Sequence, residues 1–85
     1  MNRNDEQLAH LLKIKFGLSP YEPSEYHLRL IKLAIRNITD QGGIPNKNDW
    51  QRIVSTHCKS FGTHVYAGQD NSDLVLLLRL AKDND

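Results

Sequence analysis

Cysteine is almost missing from this chain: Cys58 is the only one in 85 residues. A single thiol excludes an internal disulfide and suits a reducing compartment. Long apolar runs are missing too. The longest aliphatic stretch, Leu74 to Leu78, falls far short of the ~20 residues needed to span a bilayer. The opening MNRNDEQ is polar and charged, without the apolar segment of a secretory leader, so a cytoplasmic location is expected. There is no internal repeat and no low-complexity tract. Net charge is only +1, which removes any overall electrostatic case for nucleic-acid binding.

What is present describes an ordered globular domain, with hydrophobic content of 39% and charged content of 25%. Residues 1–85 form one domain, with 1–4 and 82–85 expected to fray. A chain this short buries only about 60–65% of its unfolded surface, so its stability is thin and a partner subunit would help. Charge is uneven: residues 1–59 hold nine Lys/Arg against six Asp/Glu, whereas residues 60–85 hold two against four.

The stretch Glu25 to Asp40, EYHLRLIKLAIRNITD, organises the rest. At helical spacing, Leu28, Ile31, Ala34, Ile35 and Ile38 share one side, with Leu30 at its edge and Leu33 and Tyr26 widening the arc. An arc that wide predicts a central helix at about 22–40 touching several neighbours. Arg29, Lys32 and Arg36 make a basic stripe on the other side, with Glu25 spaced to pair with Arg29. Together with Tyr26, a residue type enriched at interfaces, these three are the candidate partner-binding residues.

Before it, a helix is expected over about 5–16, capped by Asn4 and ended by Gly17, with Lys15 snorkelling from its apolar face. Ser19-Pro20-Tyr21-Glu22 has the capping-box pattern with Pro at N1, and Glu22-Pro23-Ser24 offers a second start three residues later, so helix two is expected to begin between 20 and 24. Gly42-Gly43 stops helix two. This pair is no phosphate loop, because it follows a helix and no Gly-Lys-Ser/Thr comes after it. Asn46 or Asn48 caps helix three. Its apolar positions Trp50, Ile53, Val54, His57, Cys58 and Phe61 run at i, i+3, i+4, i+7, i+8 and i+11, with Gly62 as the stop. Val65 and Tyr66 suit a short extended piece. Leu74 to Ala81, which Asp70 or Ser72 would cap, is apolar nearly all round, and its five leucines favour helix over strand. The fold class is therefore mainly all-α, a bundle of three to four short helices. The alternative is α+β, with residues 63–81 closing as a C-terminal β-hairpin.

No motif carries chemistry. His57, Cys58 and His64 match no standard zinc spacing, and adjacent helical residues such as His57 and Cys58 point about 100° apart. Cys58 sits toward the C-terminal end of its helix, where the dipole disfavours a thiolate, so it reads as a small buried hydrophobe. No cofactor, metal or catalytic residue is assigned, and the chain is not expected to be an enzyme.

Two functional expectations follow. The first is a regulatory or accessory protein acting by protein–protein interaction. The leucine surplus suggests a homodimer through Leu74, Leu76, Leu77 and Leu80. The second is a nucleic-acid-binding regulator in which helices two and three form a loose helix-turn-helix. Asn46, Lys47, Asn48, Gln51 and Arg52 would lead its recognition helix, and Asp49 would meet phosphates unfavourably.

Overall fold

The computed structural model describes residues 3–63 and 71–82. Within them the chain forms four helices and no strand: α1 (Arg3–Phe16), α2 (Glu25–Asp40), α3 (Lys47–His57) and α4 (Asn71–Lys82). This is the small all-α bundle expected from the periodicity. Asn4 lies inside α1, and Lys82 still belongs to α4. Residues 1–2 and 83–85, at the expected frayed ends, lie outside the described residues. So do Val65 and Tyr66.

α1 and α2 each pack against both α3 and α4. The core between them is built from Leu8, Leu12, Phe16, Leu28, Ile31, Ile35, Trp50, Ile53, Val54, Cys58, Leu77 and Leu80, with Ala9, Leu18 and Ala81 completing it. Lys15, expected to snorkel from the apolar face of α1, reaches Asp73 of α4 at 3.2 Å. The fully covered side of α2 is narrower than its apolar arc. Leu28, Ile31 and Ile35 are buried, but Leu33 and Tyr26 stand in solvent at 57% and 64% exposure.

Two boundaries differ from the sequence expectation, each for a definable reason, and the alternative C-terminal hairpin is absent. Helix two starts at Glu25, just past the expected range of 20–24, with Ser24 as its cap. Ser24 Oγ accepts from His27 N at 3.2 Å, and His27 Nδ1 accepts from Ser24 N at 3.3 Å, so His27 fills the role usually taken by Glu or Gln. A start capped by Ser19 would put Pro23 where the first intrahelical N–H donor is needed, and proline has none. Ser19 to Glu22 instead forms a turn, with Glu22 N donating to Ser19 O. Helix three ends four residues early, at His57. Cys58 is extended, and Phe61 leaves the helix to stack on Phe16 with ring centroids 5.7 Å apart. Gly62 does not cap α3; its N–H donates to the carbonyl of Phe16 at 2.9 Å. Finally, residues 71–82 are helical, so the C-terminal hairpin is not formed. The strand expected to pair there, 64–67, lies outside the described residues.

The end of α2 follows the sequence directly. Gly42 N donates to Thr39 O and Gly43 N to Ile38 O, both at 3.0 Å, the paired bonds of a Schellman stop. The motif needs a left-handed residue at Gly42, where φ is +83°. Asn46 caps α3 by accepting from Asp49 N at 2.9 Å, and Asp49 returns the contact by accepting from Asn46 N at 3.0 Å.

Among the described residues Trp50 is the largest buried side chain, at 0% exposure, and its indole Nε1 has no hydrogen-bond partner among them. Its contribution is therefore packing alone, with an unsatisfied donor subtracting from it. Replacing Trp50 by Ala should cost ~3–5 kcal/mol. Phe, which keeps an aromatic ring and removes the orphaned donor, should cost clearly less. Urea denaturation of both variants measures the difference. Equal losses would mean the N–H is satisfied after all.

Candidate functional site

The candidate site is the outer face of α2. Successive side chains Tyr26, Arg29, Leu33 and Arg36 recur at spacings of three and four, so they form one stripe along the helix. Arg29, Lys32, Leu33 and Arg36 line an open groove of about 400 Å³. Asp5 from the first turn of α1 and Glu25 from the first turn of α2 complete its rim. Lys32 lies at the groove's inner side, its Nζ donating to Asp5 Oδ1 at 2.7 Å. Both side chains are mostly covered, so this pair is less screened than a surface ion pair. Arg29 is exposed, and the pairing expected between it and Glu25 does not form. Glu25 instead sits in the first turn, where the helix dipole favours a carboxylate. Sequence reasoning brought Tyr26, Arg29, Lys32 and Arg36 to one helix, but it missed Leu33 and Asp5. Leu33 was counted as core because it lies at the margin of the apolar arc. Asp5 carries no local signal, since it arrives from another helix.

The α4 leucines sit differently from the dimer expectation. Leu77 and Leu80 are 0% and 2% exposed, inside the chain's own core, so they are not a surface that a second chain can reach. Leu74, Leu76 and Leu78 are half-buried against that core. What α4 leaves in solvent is Val75, at 69% exposure. It shares a mostly apolar groove of about 310 Å³ with Ile44, Pro45, Leu74 and Leu78. The leading residues of α3 are exposed at Asn46, Lys47, Asn48 and Arg52, with Gln51 half-buried. Asp49 is engaged in its cap and reaches Arg52 at 3.4 Å.

A second polar cluster closes one end of the bundle. Glu22 Oε1 accepts from Ser60 N at 2.8 Å and from the Ser60 hydroxyl, while Ser60 Oγ accepts from Ser19 N at 2.9 Å. The Ser60 hydroxyl holds the Glu22 carboxyl below its ordinary 4.5, against the upward push of burial. The backbone N–H groups of Ser60 and Lys59 and the charge of His27 add to the lowering. Glu22, Ser24 and His27 are the three residue types of a nucleophilic relay. Here, however, Ser24 Oγ and Glu22 Oε2 both face the same ring nitrogen, His27 Nδ1, at 3.1 and 3.9 Å. A relay needs one partner on each nitrogen, and Ser24 Oγ is engaged as the cap of α2. Cys58 is fully buried. Burial first, and the nearby Glu22 charge second, push its thiol up to about 12, the opposite of an activated nucleophile. Among the described residues no three His, Cys, Asp or Glu side chains come together to hold a metal. His64 and Asp70 lie outside the described residues. Nor, among the described residues, is any helix long and apolar enough to cross a membrane.

Comparison with family models, with curated proteins and with solved structures gives no match.

Two outcomes are expected of this end of the fold. The Glu22 pKa is lower folded than unfolded, so its stabilising contribution is fully present above about pH 4.5 and is lost as pH falls through the folded value. The Glu22→Gln variant should therefore lose stability at pH 7 and show a flatter decline between pH 5 and 3. A decline parallel to that of the parent would remove Glu22 from the account. Cys58, for its part, should resist alkylation at pH 8 and react only at the rate at which the core opens. Urea below the unfolding midpoint should accelerate the labelling, and rapid modification of the native protein would contradict a buried, raised thiol.

Proposed function

We propose that this chain is a small non-enzymatic regulatory or accessory protein, and that it works by binding another protein through the outer face of α2. The observation that carries this reading is the stripe of exposed Tyr26, Arg29 and Leu33 with half-buried Arg36 beside them. Tyr and Arg are the residue types that most often dominate interface energetics, and a large aliphatic side chain left among them offers an apolar anchor. Leu33 is 57% exposed although buried sites of the same helix take Leu and Ile.

A second copy of the chain fits this face poorly. Isologous packing would bring two sets of Arg29, Lys32 and Arg36 together, and like charges oppose that. A nucleic acid is also disfavoured. Leu33, 57% exposed within the stripe, has nothing to contact on a phosphate backbone, where donors and cations make the contacts. An acidic protein segment meets the same cations and also brings apolar side chains for Leu33 to pack against.

The test is differential capture with the full chain as bait, after nuclease treatment, comparing the parent with Arg29→Glu, Leu33→Asp and Arg36→Glu. Val75→Asp, on α4, serves as the control. A partner should be retained by the parent and by the control, and be weakened about tenfold or more by each α2 variant. A partner lost only with Val75→Asp, or bound equally by all variants, would refute the α2 assignment. Light scattering over a dilution series should give a mass near 9.8 kDa. A mass twice that, halved by Leu33→Asp, would make the partner a second copy. Nuclease-sensitive capture would point to the nucleic-acid reading.

A further inference from the structure

We infer that the partner segment for the α2 face is acidic and that Asp5 competes with it for the Lys32 ammonium, an inhibitory contact built into the fold. The inference rests on the α2-face reading above and adds to it the partner's chemistry and a means of control.

The geometry behind it is specific. Arg29, Lys32 and Arg36 converge on one groove, and an aliphatic side chain, Leu33, stands among them. Lys32 is more enclosed than the exposed Arg29. Its side chain is 15% exposed, and its Nζ is held at 2.7 Å by a carboxylate from a different helix. Asp5 thus sits where the carboxylate of an incoming acidic segment would sit. The two ends of this ion pair are not equivalent. Lys32 is near the middle of α2, fixed between the buried residues Ile31 and Ile35. Asp5 is in the first turn of α1, where helix ends fray most readily. A carboxylate leaving Lys32 there also keeps the favourable field of the α1 N-terminus. Lys32 left alone, by contrast, would be a mostly covered charge without a counterion, which is costly. Exchange of Asp5 for an incoming Glu or Asp therefore conserves the ion pair at Lys32 while Arg29 and Leu33 gain new contacts. Competition of this kind lowers affinity without blocking the face. Any event that draws Asp5 away would strengthen binding.

The experiment uses the isotopically labelled full chain titrated with a synthetic peptide of Glu residues around a central Leu, and with its Gln counterpart, by NMR. The Glu peptide should shift the α2 resonances and the Gln peptide should not. Asp5→Asn should tighten binding of the Glu peptide about fivefold to tenfold. Lys32→Met should weaken it and remove the effect of Asp5→Asn in the double variant. Asp5→Lys combined with Lys32→Asp restores an ion pair between the helices with its charges exchanged. That variant should stay folded and bind the acidic peptide more weakly than the parent, and it decides the matter if Asp5→Asn does not fold. Unchanged or weaker binding by folded Asp5→Asn, with Arg29→Glu still abolishing it, would overturn the competition while leaving the α2 face intact. Equal binding of the Glu and Gln peptides at α2 would overturn the acidic partner alone. Shifts confined to other surfaces would overturn both this inference and the α2 reading.

Discussion

Four helices with one-sided apolar faces do not by themselves fix how their ends are joined, and here that is done by a single carboxylate. Glu22 lies in the link between α1 and α2, and it accepts from the backbone and side chain of Ser60, in the link after α3. Ser60 in turn takes the N–H of Ser19, and Gly62 bonds to the last residue of α1. Residues 16–22 and 58–62 are thereby tied together at one end of the core, directly above Phe16 and Phe61. The same ties hold the chain outside the two helix ends: Pro23 already bars Glu22 from a Ser19-capped helix, and Phe61 is drawn out of a helix that its spacing would permit. A hydrogen-bonded charge that is mostly covered is worth more than an exposed one. A domain with a core this small has few other ways to register its helices.

That clasp also marks where the sequence could and could not be read. Elements whose signals are local were legible: the amphipathic spacing of α1, α2 and α3, the Asn46 cap, the Gly42-Gly43 stop and the helical preference of the leucine-rich segment. What failed was decided either by a nearby proline or by partners far along the chain. The Ser19 box looks complete until Pro23 is placed in its first turn, and Phe61 keeps perfect helical spacing while Phe16 pulls it away. The site was legible to the same degree. Tyr26, Arg29, Lys32 and Arg36 share a helix and a solvent face, which periodicity alone can find. The covering of Lys32 by Asp5 needed the packing of α1. Of the four α4 leucines assigned to a subunit interface from the apolar surplus of a short helix, Leu77 and Leu80 belong to the chain's own core.

Surface charge and core packing are distributed in a related way. α1 sends Lys15 to Asp73 of α4 and Asp5 to Lys32 of α2, at 3.2 and 2.7 Å. The helix that buries Leu8, Leu12 and Phe16 thus also carries an ion pair to each of two neighbours. α2 is more lopsided, with its buried line of Leu28, Ile31 and Ile35 facing inward and the Tyr26–Arg36 stripe facing out. Leu33 marks where the two demands diverge, being apolar by sequence and exposed by placement.

The packing of α1 on α4 has a consequence for how the chain acquires its structure. The first helix finds its full set of neighbours only when the last one exists, and the Lys15–Asp73 contact spans nearly the whole described chain. During synthesis α1 would emerge with Leu8, Leu12 and Phe16 uncovered and wait for the α4 leucines before its core could close. Closure of the four-helix core is therefore expected to be collective, since α1 meets its largest contact surface only once α4 is in place.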